Sequence, residues 1–91
     1  MIEMAPQITT PYLDTRPRTD VVVFHLDPSQ RLPIGIRDHT LSVSEGTLYV
    51  VLEDDEQALT AGDQIGIRRG ELKRAWNAGD EVARVVVSTR R

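Results

Sequence analysis

The chain has 91 residues, the size of one small domain, and it carries 14 acidic and 11 basic residues for a net charge of -3. This balance gives no reason to expect nucleic-acid binding. It contains no cysteine, which excludes disulfides, thiolate metal ligands and cysteine nucleophiles. Because no apolar run is long enough to span a membrane and no signal peptide is recognisable, we expect no membrane partner and a cytoplasmic location.

The first 19 residues differ from the rest and predict an extended arm, followed by one domain over residues 20–91. Pro6, Pro11 and Pro17 interrupt any regular element there, because proline fixes its own backbone and restricts the preceding residue. The arm is either a partly ordered tail or an edge strand added to a neighbouring subunit. A chain this short buries only roughly 60–65% of its unfolded surface, so we expect a homodimer.

After the arm, short β-rich runs alternate with turns, and no window of helical length carries a helical apolar period. The predicted strands cover residues 21–26, 32–36, 41–45, 47–52, 57–59, 65–67, 72–77 and 82–88. Many short strands separated by turns predict an all-β fold, an antiparallel sandwich or barrel. Closure of the barrel, or pairing with a second subunit, would protect the strand edges.

Four residues fix a recognisable spacing in the second half of the chain: Gly62, Asp63, Gly70 and Asn77. They resemble the second conserved motif of the cupin family, in which Gly-Asp is followed by four residues, Pro, one residue, Gly, two residues, His, three residues and Asn. The resemblance spans roughly residues 20–88. It implies a small antiparallel β-barrel of the cupin type, a jelly roll.

The chain departs from the family at the positions that usually hold a metal ion. The histidine position of the second motif is Lys73. In the first motif, one register puts His39 at the glutamate position, and a second register puts Arg37 at a histidine position. The only other histidine is His25. We therefore expect no metal and no cofactor.

Lys73 is the leading candidate for a catalytic residue. Strand alternation predicts one face that carries Glu71, Lys73, Ala75 and Asn77. In the cupin template that face lines the cavity. A lysine there could hold a carboxylate or phosphate, or, once desolvated, act as a base or a Schiff-base amine. The alternative is a long side chain that keeps its charge in water at the barrel mouth.

His39 is the second catalytic candidate. It is either a solvent-facing loop residue or an imidazole that points into the barrel and acts as an acid or base. The residues predicted to bind a ligand are Glu71, Asn77, Glu45 and Arg37.

Residues 68–74 also form a local basic cluster, of a kind that can bind phosphate groups. The basic side chains are Arg68, Arg69, Lys73 and Arg74. Neighbouring acidic residues favour a solvated face instead. The chain has only four aromatic residues, and they are not interleaved with the basic run, so stacking on nucleic-acid bases is not supported.

These observations lead to three functional hypotheses. The first is a metal-independent cupin that binds a small molecule, with or without proton-transfer chemistry such as isomerisation or cyclisation. The second is a cupin with a filled barrel that serves assembly or protein interaction. The third is a metal-dependent enzyme that uses His39 and His25.

Overall fold

The computed structural model describes residues 19–35 and 37–90, and it describes Arg90 by its backbone alone. Within these residues the chain forms seven strands: Thr19–Leu26 (β1), His39–Glu45 (β2), Thr47–Leu52 (β3), Glu56–Thr60 (β4), Gln64–Ile67 (β5), Leu72–Asn77 (β6) and Ala83–Arg90 (β7). The predicted all-β fold is confirmed. No helix in the described ranges could cross a membrane.

The strands form two antiparallel sheets, one in the order β1-β7-β2-β5 and the other in the order β4-β3-β6. The buried side chains alternate along the strands, as in Leu48, Val50 and Leu52 of β3, because successive strand residues point to opposite faces. The two apolar faces pack against each other. The core consists mainly of Leu26, Leu32, Leu41, Val43, Leu48, Val50, Leu59, Ile67, Leu72, Ala75 and Val85.

Gly46 is the point at which the chain passes from one sheet to the other. It is the single residue between β2 and β3, and its φ is 82°. A Cβ atom at this position would lie 2.7 Å from the Cα of Ala83, in the first residue of β7. A glycine is required here because only glycine adopts this φ freely and brings no side chain into the close approach.

The strand predicted over residues 32–36 is wrong for residues 32–35, and Ile36 lies outside the described residues. In this region the structure shows an isolated bridge between Arg31 and Trp76, and the Leu32 N–H donates to the carbonyl of Ala75 at 2.9 Å. The physical reason is Pro33, which has no N–H to extend a ladder beyond Leu32. The segment still contributes to the core, because Leu32 is buried.

Strand β6 contains a bulge at Lys73. Val51 of β3 pairs with Arg74, but the next residue, Leu52, pairs with Leu72, so Lys73 has no partner in the ladder. Two successive side chains, Lys73 and Arg74, are therefore exposed between the buried Leu72 and Ala75. The predicted single face for Lys73, Ala75 and Asn77 is wrong for this reason: Lys73 points outward.

The predicted arm over residues 1–19 falls almost entirely outside the described residues. Thr19 is the exception, because it is the first residue of β1. The extended arm and its exchange between subunits stay predictions, as does the homodimer.

Candidate functional site

One end of the four-stranded sheet brings together the starts of β1 and β2 and the ends of β5 and β7. His39 at the start of β2 pairs with Ile67 on one side and with Thr89 on the other. Thr19 at the start of β1 pairs with Arg90. We call this end of the sheet the rim. Two cavities open there, and we call them the inner cavity and the outer groove.

The inner cavity has a volume of about 430 Å³ and lies on the core-facing side of the sheet. Its described apolar lining is Val22, Phe24, Leu32, Pro33, Ile34, Leu41 and Val87; its polar lining is Arg37, His39 and Thr89. The register explains this separation. Val87 pairs with Val22 and Leu41, whereas Thr89, two residues closer to the rim, pairs with His39. The cavity is thus apolar inside and polar at its mouth.

The His39 ring is held in a fixed orientation at this mouth. Its Nδ1 lies 2.7 Å from the carbonyl oxygen of Arg37. A carbonyl can only accept a hydrogen bond, so Nδ1 carries the hydrogen and donates it. In the neutral ring Nε2 is then the atom that accepts a proton or a hydrogen bond. His39 is half-buried, in agreement with a position between cavity and solvent.

The outer groove has a volume of about 820 Å³ and lies beside the inner cavity at the rim. Its described lining consists of Arg37, Asp38, His39, Thr40, Gly66, Ile67, Arg68, Arg69 and Ser88. The Arg69 N–H donates to the Asp38 carboxylate at 2.7 Å, which ties the loop before β2 to the turn after β5. In the described ranges the only salt bridge joins Arg84 to Glu45, so the groove arginines form none.

Of the six predicted site residues, the structure brings together only His39 and Arg37, which line both cavities. Lys73 is exposed on the β6 bulge. Glu71 accepts a hydrogen bond from the Arg68 N–H at 2.9 Å and so closes the turn between β5 and β6. Glu45 forms its salt bridge with Arg84 at 3.4 Å. None of these three residues is among the described residues that line either cavity.

Asn77 has a structural position. It is 1% exposed, and its Nδ2 donates to the carbonyls of Leu26 at 2.9 Å and Glu81 at 2.7 Å. Its Oδ1 accepts from the Gly79 N–H at 2.8 Å. Both amide hydrogens are therefore committed to the backbone, which leaves no donor for the predicted ligand contact.

The donor set does not fit the metal site that the cupin resemblance implies. A stable site needs three or four protein ligands. His25 is exposed on the outer face of β1, whereas His39 lines the inner cavity. Their partners on β7, Arg84 and Thr89, are five residues apart, which is roughly 16 Å along a strand. In residues 19–35 and 37–90 no three His, Asp or Glu side chains come together as a ligand group.

Sequence reasoning missed some of the cavity residues. It did not single out Thr89, although the series Val85, Val87 and Thr89 changes from apolar to polar on one face of β7 and so marks the mouth of the cavity. It also favoured a solvated face for Arg68 and Arg69. Their approach to Arg37 depends on the pairing of β2 with β5, which brings together residues about thirty positions apart.

Comparison with known proteins identifies the architecture. No family model matches the chain, and no curated protein matches it. Among solved structures, a cupin-2 domain protein from Shewanella frigidimarina NCIMB 400 shares 18% identity over 85% of this chain and 81% of its own, with a TM-score of 0.63. A cupin 2 conserved barrel protein from Salinispora arenicola CNS-205 shares 15% identity over 87% of this chain and 68% of its own, with a TM-score of 0.70.

An oxalate oxidase in complex with the substrate analogue glycolate is also similar. It shares 25% identity over 77% of this chain and 40% of its own, with a TM-score of 0.65. All three similarities extend over more than three quarters of this chain.

Proposed function

The chain has the fold of the cupin superfamily, and from this premise we propose that it is a small-molecule-binding cupin. Its ligand would be an amphipathic anion, held in the inner cavity without a metal ion. The observation that carries the proposal is the position of Arg37 and His39 at the mouth of a cavity whose remaining described walls are almost entirely apolar.

The size and chemistry of the cavity agree with such a ligand. A volume of about 430 Å³ lies within the range of about 300–1,000 Å³ that is usual for small-molecule sites. Each buried methylene of a ligand contributes about 0.8 kcal/mol. The Arg37 guanidinium can bind a carboxylate or phosphate through two parallel N–H donors. The apolar walls thus supply affinity, and the arginine supplies orientation.

His39 gives the site the means for proton transfer. Because Nδ1 donates to the Arg37 carbonyl, Nε2 is the atom that can remove a proton from a bound ligand and return it. This geometry supports isomerase-like chemistry on a ligand whose acidic C–H or O–H lies beside its anionic group. The proposed step uses no metal ion, which is supported by the lack of a three-residue ligand group among the described side chains.

A second candidate function is assembly, and strand β1 favours it. Within the described residues, β1 is an edge strand of the four-stranded sheet. Its side chains Val21 and Val23 are 59% and 46% exposed. Apolar side chains on an outer strand promote association with another chain. The homodimer is therefore a proposal, tested by the molar mass in solution. A monomer at all concentrations would contradict it.

The binding proposal is tested with butanoate, pentanoate and hexanoate in calorimetric titrations. We expect the dissociation constant to fall about fourfold with each added methylene, because each one enters the apolar cavity. We expect Arg37→Gln to weaken hexanoate binding by about tenfold, since a hydrogen bond to a charged group is lost. Arg74→Gln, on the other sheet, is the matched control.

Two results would contradict the proposal: an affinity that is independent of chain length, or equal losses in Arg37→Gln and Arg74→Gln. The hypothesis that Lys73 belongs to the site is tested in the same titrations. On the basis of its exposed position on the β6 bulge we expect Lys73→Met to bind hexanoate as the parent does. A loss comparable to that of Arg37→Gln would instead support the role predicted for Lys73 from the sequence.

A further inference from the structure

We infer that the anionic group of the ligand is a phosphate monoester, bound in the outer groove by Arg68 and Arg69 together with Arg37. This inference rests on the proposed function and narrows it to a class of ligand: an organic phosphate whose apolar body occupies the inner cavity. It starts from the two residues that the cavities share. Since Arg37 and His39 line both, one ligand can have its body in the inner cavity and its head group in the groove.

The charge of the groove matches a dianion. Its described lining has three guanidinium groups and one carboxylate, which leaves a net charge of +2 with His39 neutral. A phosphate monoester carries about -1.5 to -2 at pH 7, whereas a carboxylate carries a single charge. The Asp38 carboxylate is already engaged by the Arg69 N–H at 2.7 Å, so it fixes the loop on which Arg37 lies.

The floor of the groove is open and carries hydroxyl groups. Thr40 lies between Gly66 on one side and Ser88 on the other, on the same outer face of the sheet. A Cβ at Gly66 would meet no atom within 4 Å. A glycine within a strand permits close approach of a ligand to the backbone. Two hydroxyl donors beside an unfilled position suit a head group that has several acceptor oxygens.

A carboxylate alone would leave most of these donors unused. One carboxylate is satisfied by one guanidinium in a two-bond contact, and Arg37 at the cavity mouth already provides it. Arg68 and Arg69 form no salt bridge within the described part of the chain. Their backbone N–H groups are bound to Glu71 and Asp38, which fixes the turn that carries them and leaves their side chains to face the groove.

The first experiment compares hexyl phosphate with hexanoate, which have the same apolar chain and different head groups. Calorimetric titrations use the parent, the double variant Arg68→Gln/Arg69→Gln, and the control Arg31→Gln/Arg74→Gln, which has the same change of net charge outside the groove. In the parent we expect hexyl phosphate to bind at least about tenfold more tightly than hexanoate, because it gains further charge-assisted hydrogen bonds. The groove variant should lose this advantage and bind hexanoate unchanged, while the control retains both affinities.

Three outcomes would overturn the inference and leave the proposed function standing, provided that hexanoate binds. In the first, the parent binds hexyl phosphate no more tightly than hexanoate. In the second, the variant without Arg68 and Arg69 still binds hexyl phosphate more tightly than hexanoate. In the third, the control variant loses as much affinity for hexyl phosphate as the groove variant does. If neither compound binds the parent, the proposed function itself fails and this inference fails with it.

The second experiment fills the groove and keeps every charge. Gly66→Val puts a β-branched side chain into the open space and suits a strand, so the fold should be retained, as its unfolding midpoint will show. We expect this variant to lose the phosphate advantage and to keep hexanoate binding. Ser42→Val, on the same outer face and outside the groove, is the control. A Gly66→Val protein that still prefers hexyl phosphate tenfold would overturn the inference.

Discussion

The side-chain amide of Asn77 donates to the carbonyl of Leu26 at 2.9 Å and so connects two residues that are 51 positions apart in the chain. The same amide group donates to Glu81 at 2.7 Å. One buried side chain thus joins the end of β1, the end of β6 and the segment that leads into β7. The asparagine of the cupin-like motif therefore serves the architecture in this protein.

Replacement of Asn77 tests this role. We expect Asn77→Ala to lower the free energy of unfolding by about 2–6 kcal/mol, because it leaves two carbonyls without their donor, and each such loss costs about 1–3 kcal/mol. Urea unfolding measures the change. Lys73→Ala, an exposed position in the same strand, should stay within about 0.5 kcal/mol of the parent. Similar values for the two variants would show that the amide bonds contribute little.

Gly46 offers a second stability test with an internal comparison. Gly46→Ala combines a φ of 82° with a Cβ that would lie 2.7 Å from the Ala83 Cα. Gly62→Ala has a φ of 96° and no atom within 4 Å. We expect the Gly62 variant to lose about 1–2 kcal/mol from backbone strain alone. The Gly46 variant should lose at least about 1 kcal/mol more, since the β2–β3 connection and the start of β7 must move apart to admit the Cβ. Equal losses in thermal or urea unfolding would contradict the close approach.

The orientation of the His39 ring can be measured directly. Because Nδ1 donates to the Arg37 carbonyl, we expect the neutral ring to carry its hydrogen on Nδ1. The nitrogen chemical shifts of the imidazole in NMR spectra distinguish the two tautomers. His25, which is exposed on the outer face of β1 and has no such bond in the described structure, serves as the reference. A hydrogen on Nε2 of His39 would remove the basis for its role as a proton acceptor.

Tyr49 and Glu56 provide a prediction about pH. The Tyr49 hydroxyl donates to the Glu56 carboxylate, and this bond is the largest cause that raises the pKa of Tyr49 above 10.0, followed by desolvation and the charges of Glu56 and Asp55. A pKa that is raised on folding contributes stability that is fully present below pH about 10 and is lost as the pH rises through the raised value.

The measurement is an ultraviolet titration of the phenol in a Tyr12→Phe background, in which Tyr49 is the only remaining tyrosine. We expect Glu56→Gln to lower the pKa of Tyr49. Glu53→Gln, which removes the same charge from an exposed position on the β3–β4 connection, should change it less. An equal response to the two substitutions would indicate that no specific bond exists.

Much of the fold could be predicted from local pattern. The bounds of β3 and β6 agree with the sequence interpretation, because alternating or β-branched residues between turn residues define a strand within a few positions. The segment after Arg31 could not be assigned in this way. Its apolar residues alternate like those of a strand, but Pro33 prevents a ladder. The segment is placed instead by one bond from Leu32 to Ala75.

The candidate site was harder to predict. It depends on which face of a strand each side chain lies on, and on the pairing of strands that are far apart in the sequence. His39 and Arg37 were identified because the resemblance to the first cupin motif puts each of them at a metal-ligand position in one of two registers. Lys73 was assigned to the cavity face because simple alternation was assumed through β6. The sequence does contain a signal against that assumption: the buried residues Leu72 and Ala75 are three positions apart, and a regular strand places them two or four apart.

The bulge makes Lys73 an inserted residue in an otherwise regular strand. If it were deleted, Leu72, Arg74, Ala75, Trp76 and Asn77 would alternate inward and outward without interruption, with every side chain keeping its present orientation. We therefore expect deletion of Lys73 to leave the buried side chains of Leu72, Ala75 and Asn77 in place. The chain thus keeps the spacing from Gly70 to Asn77 of the cupin-like motif and still turns the side chain at its histidine position away from the core.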